Sequence, residues 1–236
     1  MKIVIVHLFY DLLNLYGESG NVLSLKNCLE KQGIDVEIKN ISLNDTFDLS
    51  NADIIYLGSG TESNKLIALN YLMQYKEEIH QAYKCNKFFL STGNSIELFG
   101  KTLLYNNETI DCINLFDFKT TKSSSRIVSE CVFNYENTYE KVLGFENHEN
   151  EMSNTSNPLF TVEQAFGYNR LSKVEGIHEN NFYGTYLIGP LLSRNPVFLE
   201  YFVRQLVLNK DKNFEFKSFD LEIEKKAHDN YIKKYS

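Results

Sequence analysis

One stretch constrains the fold of this chain more than any other. Residues 87–100 read KFFLSTGNSIELFG, which is an apolar β-prone run, a turn of small and polar residues, and an apolar-periodic helix start. This order predicts a strand, a sharp elbow and a helix. Such an elbow can lift one side chain above a sheet and point backbone N–H groups at a developing oxyanion. Its tip, Thr92 to Ser95, contains no cysteine.

The sequence before the elbow predicts a mostly parallel sheet. Residues 2–9, KIVIVHLF, form a continuous apolar run typical of a central strand that is covered on both faces. A helix with Asn21 as its N-cap, strands at 34–41 and 54–57, and a helix over 62–83 continue the βαβ order. Because ligands bind at the carboxyl ends of parallel strands, three places are candidate ligand-binding positions. They are His7 near the end of the first strand, the turn Gly58-Ser59-Gly60, and the elbow residues Gly93, Asn94 and Ser95.

The second half of the chain changes to short β-prone pieces separated by turns. We expect antiparallel strands that extend the central sheet, with helices on both faces of an α/β fold. Residues 147–158 predict a mobile loop, and the charged tail from Lys210 predicts a surface helix through Tyr235. Since no Pro/Gly/Ser-rich linker intervenes, the prediction is a single domain over residues 1–236.

Composition excludes several classes of function. The net charge of −7 over 236 residues gives no general electrostatic reason to bind nucleic acid. No run of about 20 apolar residues predicts a membrane span, and the N-terminus is too quickly interrupted to be a signal peptide, so we expect a cytoplasmic protein. The cysteines at 28, 85, 112 and 131 have no metal-ligand or disulfide spacing. No metal and no cofactor is predicted.

Three segments in the same order carry a family resemblance: LNLYGESGNVLSL near the N-terminus, GFENH at 144–148, and EGIHENNFYGTYLIGPLL at 175–192. Together they resemble class I glutamine amidotransferase-like proteins of the cobyric acid synthase type, and among these the glutaminase subunits of lipid II isoglutaminyl synthases. The resemblance implies a flavodoxin-like class I amidotransferase fold. It also implies glutamine or a related small molecule as ligand, and a Mur-ligase-like synthetase as the partner that receives ammonia.

The residues that the family uses for chemistry are substituted here. The resemblance places the catalytic cysteine at about Thr92, with a one-residue uncertainty in register, and the catalytic histidine at Ile188. The oxyanion turn, which is usually three glycines, is Gly58-Ser59-Gly60. Isoleucine cannot accept a proton, and a threonine hydroxyl is a far weaker nucleophile than a thiolate. We therefore expect a glutaminase-like protein that has lost hydrolysis and keeps a binding or scaffold role.

Two other functions stay open at this point. A hydroxyl nucleophile at Ser91, Thr92 or Ser95, with His7 or His148 as base, would make an active hydrolase; the simpler interpretation is that Asn94 or Ser95 caps a helix starting near Ile96. Alternatively, the old glutamine pocket could bind an amino acid or related metabolite as a sensor. The sequence also leaves open whether the pathway is cell-wall amidation or corrinoid synthesis.

Overall fold

The chain folds around two six-stranded sheets in a computed structural model that describes residues 1–153 and 155–234. The first sheet has the order β11-β12-β4-β3-β1-β2, and the second has the order β10-β9-β7-β5-β6 with β8 paired to β7. The strands are β1 Lys2–Leu8, β2 Asp35–Ile41, β3 Ile54–Leu57, β4 Phe88–Thr92, β5 Thr102–Tyr105, β6 Glu108–Asp111, β7 Lys119–Asn134, β8 Lys141–Ser153, β9 Phe160–Gln164, β10 Val174–Glu175, β11 Ile177–Glu179 and β12 Phe182–Thr185. The helices are α1 Ser19–Lys31, α2 Glu62–Leu72, α3 Lys76–Lys84, α4 Leu191–Arg194, α5 Pro196–Lys210 and α6 Glu222–Ile232.

The central sheet is parallel from β2 to β12, and only β11 runs antiparallel to its neighbour. Alternate residues of β1 enter different cores, because successive side chains of a strand point to opposite faces. Ile3 and Ile5 pack with residues of α1 and α5, whereas Val4 and Val6 pack with residues of α2 and α3. The predicted central strand covered on both faces is therefore confirmed, and so is the α/β architecture.

The antiparallel strands do not extend the central sheet as predicted. Most of them form the second sheet, which meets the first at an isolated antiparallel bridge between Glu146 and Leu187. The predicted mobile loop at 147–158 is wrong for its first half, because β8 continues to Ser153 with alternate side chains buried. The buried positions there include His148 and Asn150, whose Nδ1 and Nδ2 atoms respectively are hydrogen-bonded inside the protein, and polar character alone misled the prediction. Asn154 lies outside the described residues.

Helix boundaries differ from expectation in three places. Helix α1 begins at Ser19, so Asn21 lies inside the helix and is not its cap. The predicted helix over 62–83 is divided by a 3₁₀ turn at Met73–Tyr75 into α2 and α3. The predicted tail helix is present as α6, and its predicted end at Tyr235 lies outside the described residues. In the part of the chain that the structure describes, no helix combines the length and the apolar character needed to cross a membrane.

Candidate functional site

The predicted elbow is confirmed at the carboxyl end of the central sheet. β4 ends at Thr92, and a 3₁₀ helix over Gly93–Phe99 follows without an intervening loop. Gly93 makes the turn with φ of +63°, in the left-handed region that side chains with a Cβ rarely adopt. Its N–H donates to the Leu187 carbonyl at 3.0 Å, which ties the tip to the segment after β12. The sharpest point of the elbow is therefore Gly93.

A side chain at the tip would meet two of the residues singled out by sequence. A Cβ built on Gly93 would lie 2.5 Å from Ser59 Cβ and 3.1 Å from Ile188 Cγ2. Real Cβ atoms do not approach another carbon as closely as 2.5 Å, so Ser59 occupies space that a side chain at 93 would need. Three distant segments of sequence thus converge at the elbow, with Gly93 facing the Gly58–Gly60 turn and Ile188.

Asn94 fills the turn that faces the elbow. Its Oδ1 accepts hydrogen bonds from the Gly60 N–H and from Ser59 Oγ, both at 3.1 Å. Its Nδ2 donates to the Gly60 carbonyl at 2.9 Å and to Glu62 Oε1 at 3.2 Å. Ser59 Oγ also accepts weakly from the Asn94 N–H at 3.5 Å. The polar groups of Ser59 and Gly60 are consequently bonded within the protein.

Thr92 belongs to a buried hydrogen-bond network below the tip. Its Oγ1 donates to Glu18 Oε2 at 2.6 Å, and the Tyr56 hydroxyl donates to the same oxygen at 2.8 Å. Glu18 Oε1 accepts from the Gly189 N–H at 2.8 Å, while Asn21 bridges Tyr56 and the Leu192 N–H. Burial raises the pKa of Glu18, and the hydrogen bonds from Thr92, Gly189, Tyr56 and the Ser59 N–H oppose that rise. The network joins the segment after β1, β3, the elbow and the segment after β12.

The elbow hydroxyls are not exposed. Ser91, Thr92 and Ser95 are fully buried. Ser91 and Ser95 hydroxyls contact each other at 2.8 Å, and Ser95 Oγ donates to the Leu57 and Thr92 carbonyls. The predicted capping role of Asn94 or Ser95 is wrong as well, because the 3₁₀ helix begins at Gly93 and its N-cap is Thr92, without a side-chain cap. These hydroxyls instead fasten β4 to β3 and to the elbow helix.

The candidate histidines, His7 and His148, are buried, and among the described residues neither of them is a hydrogen-bond partner of the elbow hydroxyls. His7 is 2% exposed within β1, with its ring 5.0 Å from that of Tyr56. His148 stacks on Tyr186 at 3.8 Å, and its Nδ1–H donates to the Asn150 carbonyl at 2.7 Å. Burial lowers the pKa of each histidine to about 4. Among the residues described, the hydrogen bonds of Ser91, Thr92 and Ser95 include no imidazole partner.

Comparison with known families identifies the architecture around this elbow. The CobB/CobQ-like glutamine amidotransferase domain matches residues 4–196 of the chain. The chain belongs to this amidotransferase family. The matched range contains the elbow, the Gly58–Gly60 turn and Ile188.

Two curated relatives of this amidotransferase chain are subunits named GatD of lipid II isoglutaminyl synthase (glutamine-hydrolyzing). The protein from Staphylococcus aureus (strain N315) is 28% identical over 227 residues, which are 96% of this chain and 93% of the relative. The protein from Streptococcus pneumoniae (strain ATCC BAA-255 / R6) is 31% identical over 195 residues, which are 81% of this chain and 75% of the relative. The resemblance found in the sequence is therefore confirmed.

Solved structures support the same fold. PurLQS from Thermotoga maritima superposes with a TM-score of 0.57 at 15% identity, covering 89% of this chain and 99% of that one. The glutaminase domain of Trypanosoma brucei CTPS with bound acivicin gives a TM-score of 0.56 at 10% identity, covering 93% of this chain and 97% of that domain. These likenesses confirm the class I glutamine amidotransferase fold predicted from sequence.

A buried ionic cluster lies against the elbow helix of this amidotransferase chain. The fully buried Lys65 ammonium contacts the carboxylates of Glu62 and Glu97. Glu97 also accepts hydrogen bonds from Asn150 Nδ2 at 2.9 Å and from the Tyr186 hydroxyl at 3.2 Å. Burial disfavours the charged form of Lys65, but the two carboxylates outweigh that effect and its pKa is raised. The cluster connects α2 with the elbow helix and with β8.

Sequence reasoning missed this cluster. Glu97 is half of a buried ion pair with Lys65, although nothing in the local sequence around it marks it as buried. A signal existed in α2, since Lys65 lies three, four and seven residues before Ala68, Leu69 and Leu72, on the buried face of the helix. A lysine on an apolar helix face predicts a buried partner, but the pattern cannot name it.

The described part of the chain contains no recognisable set of metal-ligating side chains. Within residues 1–153 and 155–234, no group of three or more His, Cys, Asp or Glu side chains is arranged to hold an ion. Cys28, Cys112 and Cys131 are buried free thiols, and Cys85 is an exposed one.

Proposed function

We propose that this chain is a glutaminase-like subunit that has lost glutamine hydrolysis and acts by binding a Mur-ligase-like synthetase. The observation that carries the proposal is the tip of the elbow, where a glycine with φ of +63° stands opposite Ser59 and Ile188. In nucleophile elbows the reacting residue occupies the strained turn between strand and helix. Gly93 fits that position better than Thr92, and glycine has no nucleophile.

The surroundings support the same conclusion. Ile188, at the position that the resemblance gives to the catalytic histidine, cannot accept a proton at any pH, and its Cγ2 lies beside the space above Gly93. Loss of both members of a nucleophile and base pair removes most of the rate that the pair supplies. A residual glutaminase would need another nucleophile and another base.

The backbone donors that could hold an oxyanion are also occupied. The Gly60 N–H donates to Asn94 Oδ1, the Asn94 N–H points to Ser59 Oγ, and the Ser59 N–H contacts the Glu18 carboxyl. An oxyanion hole works when its donors are free to meet the charge that develops in the transition state. Here they are satisfied before any substrate arrives, which argues against both hydrolysis and glutamine sensing at this elbow.

The hydroxyl-nucleophile alternative has one specific observation in its favour. Thr92 Oγ1 lies 2.6 Å from Glu18 Oε2, so a carboxylate base is within reach. However, both side chains are fully buried and the same carboxyl is shared with Tyr56, Gly189 and Ser59. We assign the contact a structural role, in which Glu18 holds the elbow against the segment after β12.

The names of the relatives favour lipid II amidation over corrinoid synthesis as the setting. Both are described as subunits of a glutamine-hydrolyzing lipid II isoglutaminyl synthase, which supports a synthetase partner for this chain too. The cytoplasmic location and the single domain over residues 1–236 remain predictions, and both are part of this proposal. In this proposal the partner would draw ammonia from another source.

The test is to co-purify the chain with the Mur-ligase-like synthetase of the same organism. We expect a stable complex in size-exclusion chromatography, no glutamate release above the synthetase-alone background, and amidation when ammonium is supplied directly. The control is the same synthetase mixed with an authentic glutaminase subunit, which should release glutamate. Glutamate release that depends on this chain would refute the loss of hydrolysis, and failure to form a complex would refute the scaffold role.

A further inference from the structure

One edge of the central sheet, the strand β2, has no strand beside it among the described residues. β2, Asp35–Ile41, ends the order β11-β12-β4-β3-β1-β2 and pairs with β1 along its whole length, on one side only. All of its residues are exposed or half-buried, whereas β3 and β4 are fully buried. An open strand edge is a template for another strand. The elbow follows β4, so β3 and β1 separate it from this edge.

The backbone groups that point away from the sheet belong to Val36, Ile38 and Asn40. The Asp35 N–H donates to the Met1 carbonyl at 3.1 Å, so the backbone groups of Asp35 face β1. Successive residues of a strand turn their N–H and C=O groups to opposite sides, so every second residue after Asp35 also faces β1 and the residues between face outward. In the described part of the chain, no hydrogen bond outside strand pairing involves the backbone of Val36, Ile38 or Asn40. Three donors and three acceptors are therefore unpaired.

Glu37 and Lys39 place opposite charges two positions apart on one face of the same strand. Both side chains are half-buried. Glu37 Oε2 lies 2.6 Å from the Lys2 ammonium, but both of these side chains are well exposed to solvent, so this pair contributes little stability. On the opposite face of the strand, the half-buried Ile38 packs against the core that contains α1 and α5. The edge thus combines unpaired backbone groups, alternating charge and an apolar residue at its centre.

We propose that a second copy of this chain pairs with β2 in antiparallel orientation, around a two-fold axis at Ile38. In this register the outward backbone groups meet each other, because Ile38 faces Ile38 of the second copy and Val36 faces Asn40. Glu37 then stands opposite Lys39 of the second copy, and the two-fold axis repeats this ion pair. Both pairs occupy non-hydrogen-bonded positions, where opposite side chains approach most closely.

Charge selects this register over its neighbours. A shift that keeps the outward groups matched moves the axis to Glu37 or to Lys39, and each shift sets like charges directly opposite each other. Charges that protect an edge repel a second copy, whereas Glu37 and Lys39 attract it. The antiparallel arrangement puts the two elbows at opposite ends of one continuous sheet and outside the contact. The inference therefore goes beyond the proposed function.

The experiment is sedimentation velocity of the full chain from about 1 to about 300 µM. We expect reversible dimerisation of the 27.4 kDa chain with Kd of about 100 µM, because a single strand edge is smaller than a standard interface. Glu37→Lys and Lys39→Glu each set like charges opposite each other and should weaken dimerisation at least about tenfold. An equimolar mixture of these two variants should associate about as tightly as wild type, since each supplies the charges that the other lacks. Glu136→Lys changes the net charge equally at an exposed position outside β2 and should dimerise like wild type.

A second pair of variants tests the backbone contact. Asn40→Pro removes an outward N–H and leaves the ladder with β1 intact, so dimerisation should weaken about tenfold, whereas Asn40→Thr keeps the N–H and should dimerise like wild type. A wild-type chain that stays monomeric up to about 300 µM, or equal dimerisation by wild type, both charge variants and Asn40→Pro, would overturn the inference. A monomeric mixture of the two charge variants would overturn the register. If wild type is monomeric and Asn40→Pro instead loses the complex with the synthetase, the edge belongs to the synthetase and the inference is wrong.

Discussion

The Cβ of Ser59 lies 2.5 Å from the place where a Cβ on Gly93 would stand. The two residues are therefore complementary, since a side chain at either position excludes an ordinary side chain at the other. The turn that usually carries three glycines has a serine here, and that serine occupies the space that a nucleophilic side chain at the tip would need. This relationship makes the loss of hydrolysis testable by stability as well as by activity.

Gly93→Ala should destabilise the protein through both its φ and its overlap with Ser59. The positive φ alone costs about 1 to 2 kcal/mol, and overpacking adds about 1 to 3 kcal/mol. Gly17→Ala is the matched control, because Gly17 has φ of +76° with nothing within 4 Å of its added Cβ. Urea denaturation of both variants separates the two costs. Adding Ser59→Gly to Gly93→Ala should recover the overpacking part, and a double-mutant cycle without coupling would contradict the steric pairing.

Restoring the chemistry should require three substitutions together. Ser59→Gly makes room, Gly93→Cys supplies a thiol at the strained tip, and Ile188→His supplies the base. We expect glutamate release at least about tenfold above wild type from the triple variant, and none from Gly93→Cys alone, because a nucleophile without its base loses most of its rate. Thr92→Cys with Ile188→His tests the other register. If that pair is active and the triple variant is not, the nucleophile position is Thr92.

Removing Lys65 should be far more damaging than removing a surface lysine. Lys65→Met leaves Glu97 buried without its cation, and breaking a buried pair in this way costs about 3 to 5 kcal/mol. Lys101→Met removes half of a solvent-exposed pair with Asp117 and should cost less than about 1 kcal/mol. Chemical denaturation gives both values. The variant Lys65→Met with Glu97→Gln should be more stable than Lys65→Met, and a fully additive loss would show that the two side chains do not interact.

Stability should fall as pH rises, because Glu175 is buried. Burial raises the pKa of Glu175 from 4.5 to about 7, while hydrogen bonds from Tyr186, Thr185 and Gly176 oppose the rise. The folded state therefore holds this proton more tightly than the unfolded chain, and the stabilisation is complete below the ordinary pKa and is lost as pH rises through about 7. The rise corresponds to about 3 kcal/mol at most. Burial, reinforced by Glu175, also raises the pKa of the neighbouring Glu146 and adds to the same slope.

Denaturation of wild type and Glu175→Gln at several pH values checks this dependence. Glutamine keeps one acceptor oxygen for the Tyr186 N–H, and its amide N–H can donate to Thr185 Oγ1, so the variant should fold and show a flatter profile between about pH 5 and pH 7.5. The exposed Glu136→Gln serves as the charge-matched control and should keep the wild-type slope. Parallel profiles for all three proteins would contradict the assignment.

Sequence reasoning succeeded where local pattern decides the outcome. The elbow over residues 87–100 and the strand at 2–9, observed as Lys2–Leu8, are predicted by residue order alone, because apolar runs and small-residue turns have few alternative structures. It failed where polar residues are buried because they form hydrogen bonds with residues that are distant in sequence. Asn94 was expected to cap a helix, yet its side chain bonds the Gly60 backbone, 34 positions earlier. His148 and Asn150 were placed in a loop for the same reason.

The sequence by itself determined the family, the parallel core and the absence of a thiol and of an imidazole at the positions suggested by the resemblance, because these depend only on residue identity and order. The tertiary structure alone placed Gly93 at the strained tip, set Ser59 and Ile188 around it and filled the turn with the Asn94 side chain. Hydrogen-bond partners and steric contacts between distant segments arise only when the chain packs. For that reason no local pattern could show that the space at the elbow tip and the backbone donors of the facing turn are already occupied.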